Sequence, residues 1–246
     1  MKLETKDLLT GDEISSKEFL ELIDFSIKLK EENKTVKGKQ LLENKTLAML
    51  FEKPSTRTRV SFETGMKQLG GHTIILSLNE MQHSRGESVE DTAKTLSGYV
   101  DGIVARVYEH SFIEDLAKHA TVPVINGLSN SYHPCQTLAD FMTIKEHKKK
   151  FKDLKISWIG DGNNVCNSLI FGCSKTQTDI VIATPKGFEP NPEVVKKASE
   201  NTTIDLTTDP ESAVKDADIV MTDTFTSIHT SDPKRTENFL PSFQVN

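Results

Sequence analysis

The segment Ser55-Thr56-Arg57-Thr58-Arg59 puts three hydroxyls and two guanidiniums into five consecutive positions. It follows a short apolar run, Thr46 to Phe51, that breaks at Glu52-Lys53-Pro54. A stretch of helical periodicity comes next, in which Phe62, Met66 and Leu69 recur. A helix start leaves backbone N–H groups unpaired and carries partial positive charge. Hydroxyls and guanidiniums placed there can hold a phosphate by charge-assisted hydrogen bonds. The same residues also make an ordinary capped helix start, with Ser55 as cap and both arginines on the surface. Spacing alone does not choose between these readings. A Walker A loop is excluded, because the glycines and the Gly-Lys-Ser/Thr ending are missing.

Other polar residues stand where strands end. His133-Pro134-Cys135-Gln136 opens a long helical segment. Histidine is a switchable donor or acceptor and glutamine offers both, so the pair can polarise a carbonyl and accept from an amide. The plain alternative is a first helical turn with proline at its usual early position. Arg106 follows the apolar residues of a strand and, read alone, is an exposed strand-end arginine. Gln82 and Arg85 lie in the polar loop Met81 to Ser88. Gly160-Asp161-Gly162-Asn163-Asn164 sits between a strand and a helix, as a dinucleotide fingerprint does, but Val165 occupies the place of the third glycine. Asp223 closes the last strand, where a carboxylate can pair with an ammonium or simply start a turn.

The elements that must position these residues alternate. Apolar runs at 46–51, 72–78, 102–107 and 122–126 read as strands, with helices at 56–69, 87–99 and 112–120 between them. On the second of these helices Val89, Ala93, Leu96 and Tyr99 share one side. A helix at 15–33 precedes this set, and Pro134 to Lys150 follows it, ending in a solvated lysine run. A second alternation begins at Lys155, with strands at 156–159, 179–184, 203–206 and 218–222 and helices at 167–175, 192–200 and from Pro210. The expected fold class is therefore α/β, with two domains, each a parallel sheet flanked by helices. The boundary is placed between 140 and 141, and the active site is expected in the crevice between the domains.

Composition narrows the class further. Across 246 residues, 36% are hydrophobic and 27% charged, as in a globular protein. A formal net charge of -6 argues against nucleic acid as a partner, and no apolar run approaches the roughly 20 residues needed to cross a bilayer. Three cysteines without a Cys-x-x-Cys pattern read as reduced thiols of a cytoplasmic protein. The seven histidines are scattered singly, so no metal site is expected.

The run Phe51 to Glu63 resembles the carbamoyl phosphate signature of the aspartate and ornithine carbamoyltransferases, and the match is long and nearly continuous. His133-Pro134-Cys135-Gln136, followed by Thr137-Leu138-Ala139-Asp140, resembles the motif by which that family grips the carbamoyl group. The resemblance implies that Ser55, Thr56, Arg57 and Thr58 hold the phosphate and that Arg59 supports the loop through ion pairs. It implies that Arg106, His133 and Gln136 surround the carbamoyl carbonyl, with Arg57, Arg106 and His133 catalytic and Cys135 packing only. Gln82 would reach carbamoyl phosphate in a neighbouring subunit, making the enzyme a homotrimer or a multiple of trimers. The Gly160 to Asn164 turn is similar to that of the ornithine enzymes, which implies ornithine binding by Asn164, Asp223, Ser227 and Ile228. Arg85, where the aspartate enzymes carry a lysine, points the same way. In Ser227-Ile228-His229, isoleucine and histidine replace the family's methionine and glycine.

The implied reaction is carbamoyl transfer from carbamoyl phosphate to the δ-amine of L-ornithine, without metal or cofactor, in arginine biosynthesis. The alternatives are another amine acceptor (aspartate, putrescine or an acylated ornithine) or an inactive family member that only binds ligand. The resemblance runs from about Lys6 to Asn246. The family's later His-Cys-Leu-Pro turn lies beyond it, so the 246-residue chain alone is expected to be nearly inactive.

Overall fold

The computed structural model describes residues 3–35, 39–82, 86–226 and 234–246. The chain divides into two compact units, one of Met1–Ile14 with Asp24–Cys135 and one of Ser15–Ile23 with Gln136–Asn246. The crossover thus falls at Cys135/Gln136, a few residues before the place marked from sequence. The first part of the N-terminal helix groups with the second unit, which sequence reading did not anticipate.

In the first unit, four parallel strands, β1 (Thr46–Phe51), β2 (His72–Ser77), β3 (Gly102–Arg106) and β4 (Val124–Leu128), stand in the order β2-β1-β3-β4. Helix α1 (Ser16–Thr35) precedes them, and α2 (Thr56–Gln68), α3 (Val89–Ser97) and α4 (His110–His119) make the crossovers. Side chains of a strand alternate between faces. Ala48 and Leu50 of β1 join Ile103 and Ala105 of β3 in one apolar cluster, and Leu47, Met49 and Phe51 join Val104 in another. Both faces of the central strands are buried, which is why their sequences read as continuous apolar runs.

The order reverses between β1 and β3, so the carboxyl ends of these neighbouring strands flank the topological switch point, where open α/β sheets bind ligands. Phe51 lies opposite Arg106 there. The Glu52 N–H donates to the Arg106 carbonyl at 3.1 Å, and the Glu52 carboxylate accepts from the Tyr108 N–H.

The second unit repeats the plan. Strands β5 (Lys155–Ile159), β6 (Asp179–Ala183), β7 (Ile204–Thr207) and β8 (Ile219–Met221) form a parallel sheet in the order β7-β6-β5-β8. Its switch point lies between β5 and β8, where Trp158 pairs with Met221. Helix α5 (Pro134–Lys148) packs on α6 (Asn164–Thr176) at Gly172, where a Cβ would come within 2.4 Å of the Phe141 ring. Helices α7 (Pro192–Ala198) and α8 (Pro210–Val214) complete the crossovers. The final described segment carries a single 3-10 turn, Arg235–Asn238, and buries Phe239 fully. No helix among the described residues is long and apolar enough to cross a membrane.

Local chemistry explains most helix starts. Ser15 and Glu18 form a reciprocal capping box, with the Ser15 N–H donating to Glu18 at 2.8 Å and the Glu18 N–H to the Ser15 hydroxyl at 3.2 Å. Asn163 caps α6 by accepting from Val165 and Cys166, which starts that helix at Asn164, three residues before the start expected from sequence. Tyr99 departs from expectation. It lies beyond the Gly98 C-cap of α3 and is 80% exposed, whereas Val89 and Leu96 pack on the core.

Gly162 is fixed by close approach. A Cβ there would lie 2.2 Å from the Pro190 nitrogen and 2.5 Å from the Glu189 carbonyl carbon. Gly162→Ala is expected to lower the unfolding free energy by about 1–3 kcal/mol. Gly65→Ala, in α2 with nothing within 4 Å of the new methyl, should raise it. Urea unfolding midpoints check the pair, and equal shifts for both would contradict the packing argument.

Candidate active site

In the first unit the hydroxyls and guanidiniums singled out from sequence converge at the switch point. Ser55 occupies the N-cap of α2 in extended conformation but makes no side-chain capping bond, and no acidic residue sits in the first turn. The ordinary capped start is therefore not what Ser55 builds. Thr58 is buried, and its hydroxyl accepts from the Arg106 Nη1 at 2.8 Å. The Arg106 Nε is buried without a hydrogen-bond partner. Burial, and secondly the charge of Arg57, lower the Arg106 pKa. The Arg57 and Arg106 guanidiniums thus repel one another at a helix N-terminus, and no carboxylate among the described residues is paired with either. Such an arrangement favours a polyvalent anion. Thr56 and Arg57 are exposed, and Ser55 is half-buried. Arg59 pairs with Glu63 one turn further along α2 at 3.9 Å, with both side chains largely exposed.

His133 belongs to the same unit. Burial first, and then the Arg106 charge, push its pKa down to about 4, so the ring is neutral at pH 7. A neutral imidazole beside a fixed guanidinium can donate to a carbonyl oxygen without giving up a proton. Cys135 donates weakly to the Asn126 carbonyl at 3.4 Å, and burial pushes its thiol up to about 12, which removes it as a nucleophile. Gln82 is exposed, and its carbonyl accepts from the Glu87 N–H.

The second unit gathers carboxylates at its own switch point. Asn163 donates through Nδ2 to Asp223 at 3.0 Å, joining the β5–α6 turn to the end of β8. Asn164 is 93% buried, and its side-chain oxygen accepts from the Val165 N–H at 3.0 Å. Gln136, exposed at the start of α5, donates through Nε2 to Asp140 at 2.9 Å. Burial raises the Asp140 carboxyl to about 6; the Gln136 hydrogen bond opposes this and the Asp223 charge adds to it. Asp161 is also raised, first by burial, and is ion-paired with Arg235.

Ser55, Thr58, Arg57, Arg106 and His133 therefore lie in one neighbourhood of the first unit, and Asn164 and Asp223 in one neighbourhood of the second. Ser227 and Ile228, and Arg85 of the polar loop, fall outside the described residues. Sequence reasoning passed over Asn163, Asp140, Asp161 and Arg235. The first three stand inside the quoted motifs and were legible there as polar residues next to those chosen. Arg235 carried no local signal.

The family described as "Aspartate/ornithine carbamoyltransferase, carbamoyl-P binding domain" matches residues 6–146, and its "Asp/Orn binding domain" matches residues 152–246. The chain belongs to the aspartate/ornithine carbamoyltransferase family. Within that family it is 56% identical, over its whole length and 81% of the relative's, to the ornithine carbamoyltransferase of Cenarchaeum symbiosum. It is 48% identical to that of Bacillus cereus, covering 100% of this chain and 78% of that protein. The solved ornithine carbamoyltransferase of Pyrococcus furiosus superposes with a TM-score of 0.94 at 47% identity, covering 100% of this chain and 80% of that one. The Thermus thermophilus enzyme gives 0.89 at 41%, covering 98% and 79%.

The partly buried Asp140 has a consequence for stability. Its folded pKa of about 6 lies above the ordinary 3.8. The stability associated with its protonated form is thus complete below pH 3.8 and is lost as pH rises through about 6. Asp140→Asn removes this loss, so the variant should gain stability relative to the unsubstituted protein between pH 4 and pH 7. Urea midpoints across that range test it, and a difference that stays constant with pH would refute the assignment.

Proposed function

We propose that the protein transfers the carbamoyl group of carbamoyl phosphate to the δ-amine of L-ornithine, giving L-citrulline and phosphate. The observation that carries the donor half is the half-buried Arg106, held on Thr58 at 2.8 Å beside the like charge of Arg57 at the start of α2. Phosphate oxygens at that helix start accept from backbone N–H groups, from Ser55, Thr56 and Thr58, and from Arg57. The Arg106 guanidinium and the His133 ring face the carbonyl oxygen, where negative charge grows as the amine attacks. The tetrahedral intermediate collapses by breaking the bond from carbon to the phosphate oxygen; the departing phosphate takes up the proton shed by the amine and stays in the same cradle as the hydrogen phosphate dianion. Bond making and breaking need no covalent link to the protein, so the rate enhancement comes from positioning and fixed charge.

Charge in the second unit favours ornithine over aspartate. The charge of Asp223 reaches both Asp140 and Asp161, and among the described residues Arg235 is ion-paired with Asp161. A dicarboxylic acceptor would meet net repulsion there, whereas the α-ammonium of ornithine can pair with Asp223. Asn164 is assigned to the amino-acid head, with Gln136 and Gln82 on the carbamoyl group, and Ser227 and Ile228 complete the acceptor set. The family resemblance further supports a homotrimer acting in arginine biosynthesis. The free thiols of Cys135, Cys166 and Cys173 suit a reducing cytoplasm.

Colorimetric assay of carbamoylated product from carbamoyl phosphate with L-ornithine, L-aspartate, putrescine or N-acetylornithine tests the proposal. Ornithine is expected to give a kcat/KM at least about 100-fold above the others, as a buried polar site left unpaired by the wrong substrate would produce. Preference for aspartate, putrescine or N-acetylornithine over L-ornithine, at whatever absolute rate, would overturn it.

A further inference from the structure

Arg235 lies outside every motif quoted from the sequence, yet its guanidinium engages both a carboxylate and two aromatic rings. Its Nη2 donates to the Asp161 carboxylate, and its guanidinium lies 4.7 Å from the Phe188 ring centroid and 5.7 Å from that of Phe239. Both members of the ion pair are largely covered, with side chains 22% and 11% exposed for Arg235 and Asp161. The rings are themselves packed together. Phe239 stacks on Phe225 at 4.7 Å and meets Phe188 edge-on at 4.9 Å. An aromatic cage therefore fixes the plane of the guanidinium before it meets the carboxylate.

Asp161 sits in the turn that carries Asn163 and Asn164. Its carbonyl accepts from the Trp158 indole at 3.0 Å, its side chain is taken by Arg235, and two residues later Asn163 holds Asp223. The turn is thus pinned on both sides, by Trp158 from the core and by Arg235 from outside.

We infer that Arg235 is a positioning residue for the acceptor amino acid: it neutralises Asp161, locks the Gly160–Asn164 turn, and so leaves Asp223 as the oriented carboxylate for the substrate's ammonium. Arg235 need not touch the substrate. Without it, Asp161 is a second buried charge competing for the same ammonium in the wrong place, and the turn loses its outer anchor. The inference rests on the functional reading above.

The test is a kinetic split in the whole enzyme. Arg235→Gln should raise the KM for L-ornithine by about tenfold or more, the scale of losing one coupling between neighbouring polar groups. It should change kcat by less than about threefold and leave carbamoyl phosphate affinity, read by calorimetry, within about twofold. Arg235→Lys keeps the charge without the planar fork and should restore part of the loss. Adding Asp161→Asn to Arg235→Gln should recover affinity for ornithine, because the unneutralised charge is removed. An unchanged ornithine KM in Arg235→Gln overturns the inference. So does a parallel fall in melting temperature, carbamoyl phosphate affinity and kcat, which marks a merely structural role. Carbamoylation of another amine in preference to L-ornithine by the unsubstituted enzyme overturns the functional reading and this inference with it. Normal turnover by the unsubstituted enzyme, with Arg235→Gln indistinguishable from it, overturns this inference alone.

Discussion

The first unit is organised around a repulsion. Arg106 is half-buried, with its Nε fully covered, beside the like charge of Arg57, and both burial and that charge make its ionised form less favourable. Holding a desolvated guanidinium without a carboxylate costs stability, and proteins retain such groups where a ligand supplies the missing charge. Several features serve to keep Arg106 in place. The bond to Thr58 fixes one end of its fork, and backbone bonds around Glu52 tie the end of β3 to the end of β1. The strand order β2-β1-β3-β4 makes those two ends neighbours in the first place.

The second unit solves the opposite problem with the same architecture. Its switch point collects carboxylates where the first collects guanidiniums, and each cluster suits one reactant: an anionic donor, and an acceptor bearing an ammonium. The glycines of the β5–α6 turn fit this role. Gly162 lets the 188–190 backbone approach, with its N–H on the Phe188 carbonyl at 2.8 Å, and the turn serves packing and hydrogen bonding and not a nucleotide phosphate.

Much of this was legible in the sequence because its determinants are local. Strand alternation fixed the two parallel sheets, and β1 was delimited to the residue, since its apolar run is bounded by a lysine and a glutamate. Ser55 to Thr58 and His133 to Gln136 stood out as candidates because each set of polar residues is contiguous in the chain. What escaped depends on long-range pairing. Asp161 and Arg235 are far apart along the chain, and nothing near Arg235 marks it as the partner of a turn. Tyr99 was misplaced because its helix stops at Gly98, one residue before the apolar stripe would have carried it inward. The assignment of Ile14 and Ser15 to different units is equally a property of packing and not of pattern.

The claim on which the account stands is that unpaired cationic charge at the start of α2 is the carbamoyl phosphate site. Calorimetric titration of carbamoyl phosphate into the unsubstituted enzyme and into Arg106→Met tests it most directly, with the melting temperature recorded alongside. Methionine keeps the bulk of the buried stem and removes the charge. Affinity should fall by about 100-fold, the scale of a lost charge-assisted pair in a desolvated site, while the melting temperature holds or rises. Unchanged affinity, or a lower melting temperature with affinity retained, would contradict the account.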